Sequence, residues 1–246
     1  MRQTVSAAVI LMAGSGSRLR RSGETSPKPL VDLGGRALIS YTFDILVKAG
    51  IKTIYAVTGF ESAALRSGIA PLIPDGIDLN WIENPSWQKQ NGVSLLAAES
   101  NVKRPFVLTM GDHIFEPKIV DLLIQRAHPK TLNVAVDRKL GTIVDPDDAM
   151  KVRTEGHRLV TIGKNLEDYD AIDIGLFVCP LEIFSYLEQA KRDGDCSLAD
   201  GVRSMAADGK VRAIEIGNAW WQDVDSTETL QHARQLIANY DTSLRK

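Results

Sequence analysis

Glycine, hydroxyl and basic residues are concentrated in the segment Gly14–Arg18, with the sequence GSGSR. Glycine lets the backbone approach a ligand closely, and successive backbone N–H groups can form a cradle for an anion. The guanidinium of Arg18 can bind two phosphate oxygens at once. Ten residues further on, Lys28 stands between two prolines, which stiffen the backbone around its ammonium. Together the two segments predict a phosphate-binding loop with two fixed cations.

Two common phosphate-binding motifs differ from this segment. A Walker-type loop needs a lysine directly after its last glycine, where this chain has Ser17. The dinucleotide fingerprint needs a third glycine, where this chain has Leu19, so a dinucleotide-dependent dehydrogenase is a remote alternative. A Gly/Ser turn with solvated basic residues would account for the loop alone, but not for the proline-flanked lysine that follows it.

Three aspartates are candidate metal ligands. Asp112 follows a predicted buried strand, and Asp223 and Asp225 lie close together near the end of the chain. Mg²⁺ prefers a few carboxylates together with phosphate oxygens and water. Asp112 could therefore hold Mg²⁺ with Asp223 or Asp225, although spacing alone fits unrelated turn aspartates equally well.

Alternating strands and helices must position these residues in the first half of the chain. The predicted strands are 7–12, 53–58, 79–83, 106–110 and 132–137, and the predicted helices are 37–48, 61–67, 93–100 and 117–127. This alternation predicts an α/β fold with a mostly parallel central sheet and helices on both faces. Ligands of such sheets bind beyond the carboxyl ends of the strands.

The pattern changes after Val136. Residues 150–154 and 158–162 flank Glu155-Gly156 and predict an antiparallel hairpin, and further strands are predicted at 172–178 and 211–216. Helices are predicted near 181–192, 197–207 and 227–240. We expect one domain, residues 1–246. Its first half is about 1–137, and its second half is about 138–246 and carries a small antiparallel insertion.

Composition restricts the classes of partner. The net charge of −2 does not favour nucleic acid or an anionic membrane. Two cysteines in 246 residues do not predict a disulfide framework. No apolar run approaches the roughly 20 residues that span a bilayer. We expect a cytoplasmic protein without a membrane segment, and the oligomeric state stays open.

The ordered pair GSGSRL (Gly14–Leu19) and PKPL (Pro27–Leu30) resembles the signature of the sugar-phosphate nucleotidyltransferase superfamily. The resemblance covers most of the chain and implies a Rossmann-like nucleotidyltransferase fold. It also implies that the half at about 1–137 binds the nucleotide, and that the half at about 138–246 binds the acceptor, completes the metal site and carries the insertion on the substrate side. Within the superfamily the chain is most similar to the CTP:inositol-1-phosphate cytidylyltransferases. The segments that carry this similarity are Asn91-Gly92 with Ser94-Leu95-Leu96, Thr109–His113 (TMGDH), Ile162–Lys164 (IGK), Asp173-x-Gly175-x-Phe177 and Asp223–Asp225 (DVD).

The resemblance implies a Mg²⁺-dependent reaction in which a nucleotidyl group, CMP from CTP, passes to a phosphorylated polyol and pyrophosphate leaves. Arg18 and Lys28 would hold the triphosphate, and Asp112 with Asp223 or Asp225 would hold the metal. The remaining nucleotide-binding residues would be Ala13, Gly14, Ser15, Gly16, Asn91, Gly92 and Ser94. Asn91 could instead cap a helix.

Lys164 would bind the acceptor's phosphate, and Asp173 would accept hydrogen bonds from its hydroxyl groups. A surface lysine and an edge-strand carboxylate are the corresponding structural alternatives. His113 has no partner with metal-ligand spacing, so we expect it to be structural, and we expect Trp220 and Trp221 to pack beneath the site. A sugar 1-phosphate or choline phosphate as acceptor stays open, and a catalytically silent nucleotide sensor is the alternative from another class.

Overall fold

The structure is a computed structural model that describes residues 5–21, 23–24 and 26–244. The strands are β1 (Ala7–Met12), β2 (Thr53–Thr58), β3 (Asp78–Glu83), β4 (Phe106–Met110), β5 (His113–Phe115), β6 (Leu132–Asp137), β7 (Lys151–Glu155), β8 (Arg158–Gly163), β9 (Ala171–Cys179), β10 (Val211–Glu215) and β11 (Trp221–Asp223). The helices are α1 (Ser17–Arg21), α2 (Leu38–Lys48), α3 (Ser62–Ile69), α4 (Asn91–Leu96), α5 (Lys118–Arg126), α6 (Glu182–Ala190), α7 (Leu198–Ala207) and α8 (Thr227–Leu244). Short 3₁₀ turns lie at Lys28–Leu30, Ala70–Leu72 and Leu140–Thr142.

Nine strands form one sheet in the order β3-β2-β1-β4-β9-β6-β10-β8-β7. The pairs β2–β3, β1–β2, β1–β4 and β6–β10 are parallel. β9 lies antiparallel between β4 and β6, and β8 pairs antiparallel with both β7 and β10. The sheet is therefore mixed, which corrects the prediction of a mostly parallel sheet.

The predicted hairpin exists as β7 and β8, but it continues the sheet and does not form a separate layer on it. β8 joins β10 through Arg158 and Arg212, and β7 returns to the beginning of β9, where Lys151 is opposite Ile172. The strands β9, β6, β10, β8 and β7 thus close on themselves. This closure brings the end of β8 back towards the beginning of β9.

Both faces of the sheet are covered, as the apolar strands predict. Along β1, residues 7, 9 and 11 belong to one apolar core with Leu95, Leu187 and Val202 of α4, α6 and α7. The alternate residues 8, 10 and 12 belong to a second core with Phe43 of α2 and Leu123 of α5. Because successive strand residues point to opposite faces, a strand buried on both faces is apolar throughout. No helix of the described residues combines the length and apolar character needed to cross a membrane.

One local prediction is corrected, and one pair of short strands was missed. The helix predicted over 93–100 begins at Asn91 and ends at Leu96. The short strands β5 and β11 were not predicted, and they pair with each other so that Asp223 is opposite His113. Three residues are too few to show an alternating pattern, so the pairing is visible only in the structure.

Candidate active site

A cavity of about 530 Å³ lies at one edge of the sheet and is lined by residues from both halves of the chain. The strands β1, β4 and β6 end at this edge, and the antiparallel β9 begins there. Asp112, Asp137 and Asp173 therefore meet although they are far apart in sequence. The predicted site residues that line the cavity are Ala13, Gly14, Arg18, Asn91, Ser94, Asp112, Lys164, Asp173, Asp223 and Asp225. Ser15, Gly16, Lys28 and Gly92 are predicted site residues outside that lining.

Lys28 is not one of the residues that line the cavity, but it contacts two of the predicted metal ligands. Its Nζ is 3.1 Å from Asp112 Oδ2 and also forms an ion pair with Asp225 Oδ1. The stem of Lys28 passes so close to Gly16 that a Cβ there would lie 2.9 Å from Lys28 Cγ, and Gly16 has a φ of 62°. Gly16 thus leaves room for the stem of the lysine, and its predicted contact with the nucleotide stays a prediction.

Asp112 and Asp225 are brought together by the backbone as well. The N–H of Val224 donates to the backbone carbonyl of Asp112 at 2.8 Å. Burial would raise the pKa of Asp112, but the Lys28 ammonium and a hydrogen bond with His113 outweigh it and hold that pKa far below its ordinary value. Asp112 is therefore an ionised carboxylate at neutral pH. Asp223 lies on the same segment and lines the cavity, and its Oδ1 accepts from Gln222 at 2.9 Å.

The charges of the cavity bear on whether a metal ion fits. Among the described lining residues seven are aspartates and three are lysine or arginine. Such a surface repels polyphosphates unless cations accompany them. Asp112 and Asp225 already converge on one cation, the Lys28 ammonium. The described residues contain no set of three or more histidine, cysteine or acidic side chains arranged to hold a metal alone. The residues therefore fit an ion that takes further ligands from phosphate and water, as Mg²⁺ does.

Asn91 and Gly92 hold α4 against the beginning of α7, and Ser94 holds it against the residue that follows β3. The Leu198 N–H donates to Asn91 Oδ1 at 2.8 Å, so Asn91 caps α7 rather than its own helix. Ser94 is buried, and its hydroxyl accepts from Asn84 Nδ2 at 3.0 Å. A Cβ on Gly92 would lie 2.7 Å from the carbonyl oxygen of Cys196. These contacts give Gly92 a role in packing, and its predicted role in the close approach of a ligand stays a prediction.

On the acceptor side, Lys164 directly follows β8 and forms an ion pair with Asp148. Asp173 Oδ1 accepts from the Gly175 N–H at 2.9 Å, and burial raises the pKa of Asp173 to about 7. Gly175 has a φ of 71°, and a Cβ there would lie 2.6 Å from the His113 ring. Gly175 therefore allows the imidazole to pack beside Asp173.

Sequence reasoning missed Asp137 and Asp148. Asp137 is buried at the end of β6, lines the cavity and accepts a hydrogen bond from Trp221 Nε1 at 2.9 Å. The Trp221 ring also stacks on His113 with 6.4 Å between centroids. Trp221 thus supports the site as predicted, while also lining the cavity. The position of Asp137 at a strand end was a signal that could have identified it. Asp148 lies in a loop and has no such signal.

Residues 8–206 match the family model of the MobA-like NTP transferase domain. The bifunctional IPC transferase and DIPP synthase of Rubrobacter xylanophilus is 34% identical over 238 residues, which cover 96% of this chain and 53% of the relative. The protein of the same name from Thermococcus kodakarensis is 33% identical over 94% of this chain and 50% of its own length. The chain therefore spans about half the length of these curated relatives.

Solved structures show the same fold. The structure of the inositol-1-phosphate CTP transferase from T. maritima is similar over 97% of both chains, with 26% sequence identity and a TM-score of 0.85. A UDP-glucose pyrophosphorylase complexed with UDP-glucose is similar over 96% of this chain and 99% of its own, with 17% identity and a TM-score of 0.81. At that identity the second likeness concerns the fold alone.

Proposed function

Because the chain belongs to the family of MobA-like NTP transferase domains, we propose that it is a cytidylyltransferase that transfers CMP from CTP to inositol 1-phosphate. The observation that carries the proposal is the convergence of Arg18, Lys28 and Asp112 with the acceptor-side residues Lys164 and Asp173 at one sheet edge. The name of the T. maritima structure, inositol-1-phosphate CTP transferase, supports the choice of CTP and inositol phosphate.

In the proposed reaction a phosphate oxygen of the acceptor attacks the α-phosphorus of CTP. The new oxygen–phosphorus bond forms as the bond to the bridging oxygen breaks, and pyrophosphate leaves with that electron pair. A phosphomonoester has a second pKa near ~6, so the nucleophile is already ionised at neutral pH and needs no general base. Catalysis then consists of positioning and charge neutralisation.

The protein side chains divide between the two substrates. Arg18 and Lys28 would neutralise the triphosphate, with the backbone of Ala13–Ser15 beside the nucleotide. Asn91 and Ser94 line the cavity, and their side chains also hold α4 in place. Any contact that they make with the nucleotide would be less important than this structural role. Lys164 would bind the acceptor's phosphate.

Asp112 and Asp225 would hold Mg²⁺, because both already contact the same cationic centre, and Asp223 would support them from the same segment. The ion would add positive charge next to the phosphates as negative charge redistributes during transfer. Asp112→Asn should therefore lose most turnover, about 100-fold or more, and keep the fold. The matched control is Asp121→Asn, an exposed aspartate of α5. Full activity of wild type in excess chelator would contradict the role of the metal.

Hydroxyl recognition favours a polyol phosphate over choline phosphate. Asp173 lines the cavity beside Asp137, and a carboxylate is a good acceptor for hydroxyl groups. A quaternary amine would need an aromatic cage. Of the cavity's aromatic residues, Trp221 is already engaged with Asp137 and His113. A sugar 1-phosphate offers similar hydroxyls and is the second candidate acceptor.

The test is a matrix of four nucleoside triphosphates against inositol 1-phosphate, glucose 1-phosphate, mannose 1-phosphate and choline phosphate, with pyrophosphate release as the readout. We expect CTP with inositol 1-phosphate to have the highest kcat/KM and Asp173→Ala to reduce its advantage over the other acceptors. A tenfold preference for another pair would refute the inositol assignment and leave the transferase assignment standing. No pyrophosphate release with any pair would favour the nucleotide sensor.

A further inference from the structure

Asp148 joins the two substrate sides of the cavity. Its Oδ2 is 2.6 Å from Arg18 Nη1, and its Oδ1 forms an ion pair with Lys164 Nζ. Arg18 belongs to the nucleotide side and lies in α1, whereas Lys164 directly follows β8 on the acceptor side. One carboxylate thus lies between a guanidinium and an ammonium that come from opposite halves of the chain.

The same arrangement of two cations would suit a phosphate group. Two cations that contact two oxygens of one carboxylate are spaced to contact two oxygens of a phosphomonoester. The phosphate has three terminal oxygens and a charge of about −1.5 to −2 at neutral pH, against −1 for the carboxylate. An acceptor phosphate between Arg18 and Lys164 would also lie beside the triphosphate that Arg18 is proposed to bind, as the attack on the α-phosphorus requires.

The segment that carries Asp148 is anchored to β9 at its end, where the Asp173 N–H donates to the Met150 carbonyl at 2.8 Å. Residues 143–150 contain no helix or strand, and most of them line the cavity. The backbone N–H of Asp148 donates to Asp145 Oδ1 at 3.3 Å, a contact within the same turn. The two ion pairs of Asp148 are therefore the side-chain contacts that connect this turn to Arg18 and Lys164.

We propose that Asp148 is a positioning residue that competes with the acceptor's phosphate for Arg18 and Lys164. It keeps the two cations aligned and is displaced when the phosphate enters, so residues 143–149 move away from the cations as the acceptor binds. This inference rests on the proposed function and adds to it a second role for Arg18, as a ligand of both substrates.

Removing the charge of Asp148 should strengthen phosphate binding. Partly exposed ion pairs are weak individually, and the loss of two such competing pairs corresponds to about a three- to tenfold decrease in the dissociation constant. Asp148→Asn keeps the size of the side chain. Asp147→Asn is the matched control, because it removes the same charge from an exposed neighbour in the same turn.

The experiment is calorimetric titration of the three proteins with inorganic phosphate, after thermal unfolding has shown that each is folded. We expect the gain in affinity for Asp148→Asn only, and we expect it to disappear in a Lys164→Gln background, because neighbouring charges are energetically coupled. In steady-state kinetics Asp148→Asn should lower KM for the acceptor without raising kcat. If Asp148 had only a structural role, Asp148→Asn would lower stability and would not produce a lower KM without a higher kcat.

The outcomes separate this inference from the proposed function. If wild type transfers CMP but Asp148→Asn binds phosphate no more tightly than wild type does, the proposed competition is overturned and the transferase assignment stands. The competition would also be overturned if Asp148→Asn still increased the affinity for phosphate in the Lys164→Gln background, because the phosphate would then bind elsewhere. Tighter phosphate binding without transfer to any acceptor would support the anion site and refute the proposed reaction.

Discussion

Gly92 and Gly14 are both glycines of the predicted nucleotide site, and the structure predicts opposite consequences for replacing them with alanine. A Cβ on Gly92 would lie 2.7 Å from Cys196 O and 2.8 Å from both the carbonyl carbon and oxygen of Ser197. All three are backbone atoms, so no side-chain rotation relieves the contact. A Cβ on Gly14 would meet no heavy atom within 4 Å, and the φ of Gly14 lies outside the left-handed region.

The cost at Gly92 can be worked out from these contacts. Overpacking that forces the backbone to shift costs about 1–3 kcal/mol. Gly92 lies within α4, where alanine regains up to about 1 kcal/mol of helix propensity. We therefore expect Gly92→Ala to lose about 1–2 kcal/mol, which lowers the unfolding midpoint by roughly 2–8 °C in a chain of this size. At Gly14 alanine should be neutral or slightly stabilising, because it restricts the unfolded chain.

Activity should follow the reverse order. Gly14 lines the cavity, so the added methyl group should raise KM for the triphosphate, whereas Gly92 lies outside the lining and should keep KM close to wild type. The assay is thermal unfolding by circular dichroism together with steady-state kinetics for both variants. Equal destabilisation of the two, or a normal midpoint with a raised KM in Gly92→Ala, would refute the assignment of Gly92 to packing.

Two further predictions concern charged groups. Lys28→Met should lower kcat by about 100-fold and raise KM for the triphosphate less, because the ammonium acts mainly as charge redistributes in the transition state; a change confined to KM, measured by steady-state kinetics, would contradict this. The pKa of Asp173 is raised to about 7 by burial, so the folded protein holds a proton that the unfolded chain loses near pH 4. Stability should therefore decline as pH rises between about 4 and 7, and the decline should be shallower in Asp173→Asn; identical pH profiles of the unfolding midpoint would argue against a buried acid.

Most elements of the fold were predictable because their signals are local. The continuous apolar run of β1 predicts burial on both faces, and the structure places alternate residues of this run in two different cores. The hairpin β7–β8 was equally visible at its Glu155-Gly156 turn. The pairing of β7 with the beginning of β9 was not, because it joins residues 19 and 21 positions apart through two contacts that leave no pattern in the chain.

The candidate site shows the same division. Arg18, Lys28 and Asp112 were predicted from motif chemistry and strand position, and they do converge, since Arg18 and Lys28 share Asp225 and Lys28 also contacts Asp112. Asp148 could not be predicted, because its contact with Arg18 spans 130 positions and its loop contains other aspartates of the same appearance. Residue propensity and periodicity predict where strands end. They do not predict ion pairs across the cavity, because those pairs depend on how the sheet closes on itself.

The antiparallel placement of β9 connects these observations to the chemistry. A strand parallel to β4 and β6 would end at the cavity, and its first residues would lie at the far edge of the sheet. Because β9 runs in the opposite direction, its beginning lies beside the ends of β4 and β6, and Asp173 becomes a neighbour of the segment that carries Asp112. The following ring of strands then returns Lys164 to the same edge. The residues proposed to bind the acceptor therefore share one sheet with the loop proposed to bind phosphate, which is why Asp148 of the intervening turn can contact both Arg18 and Lys164.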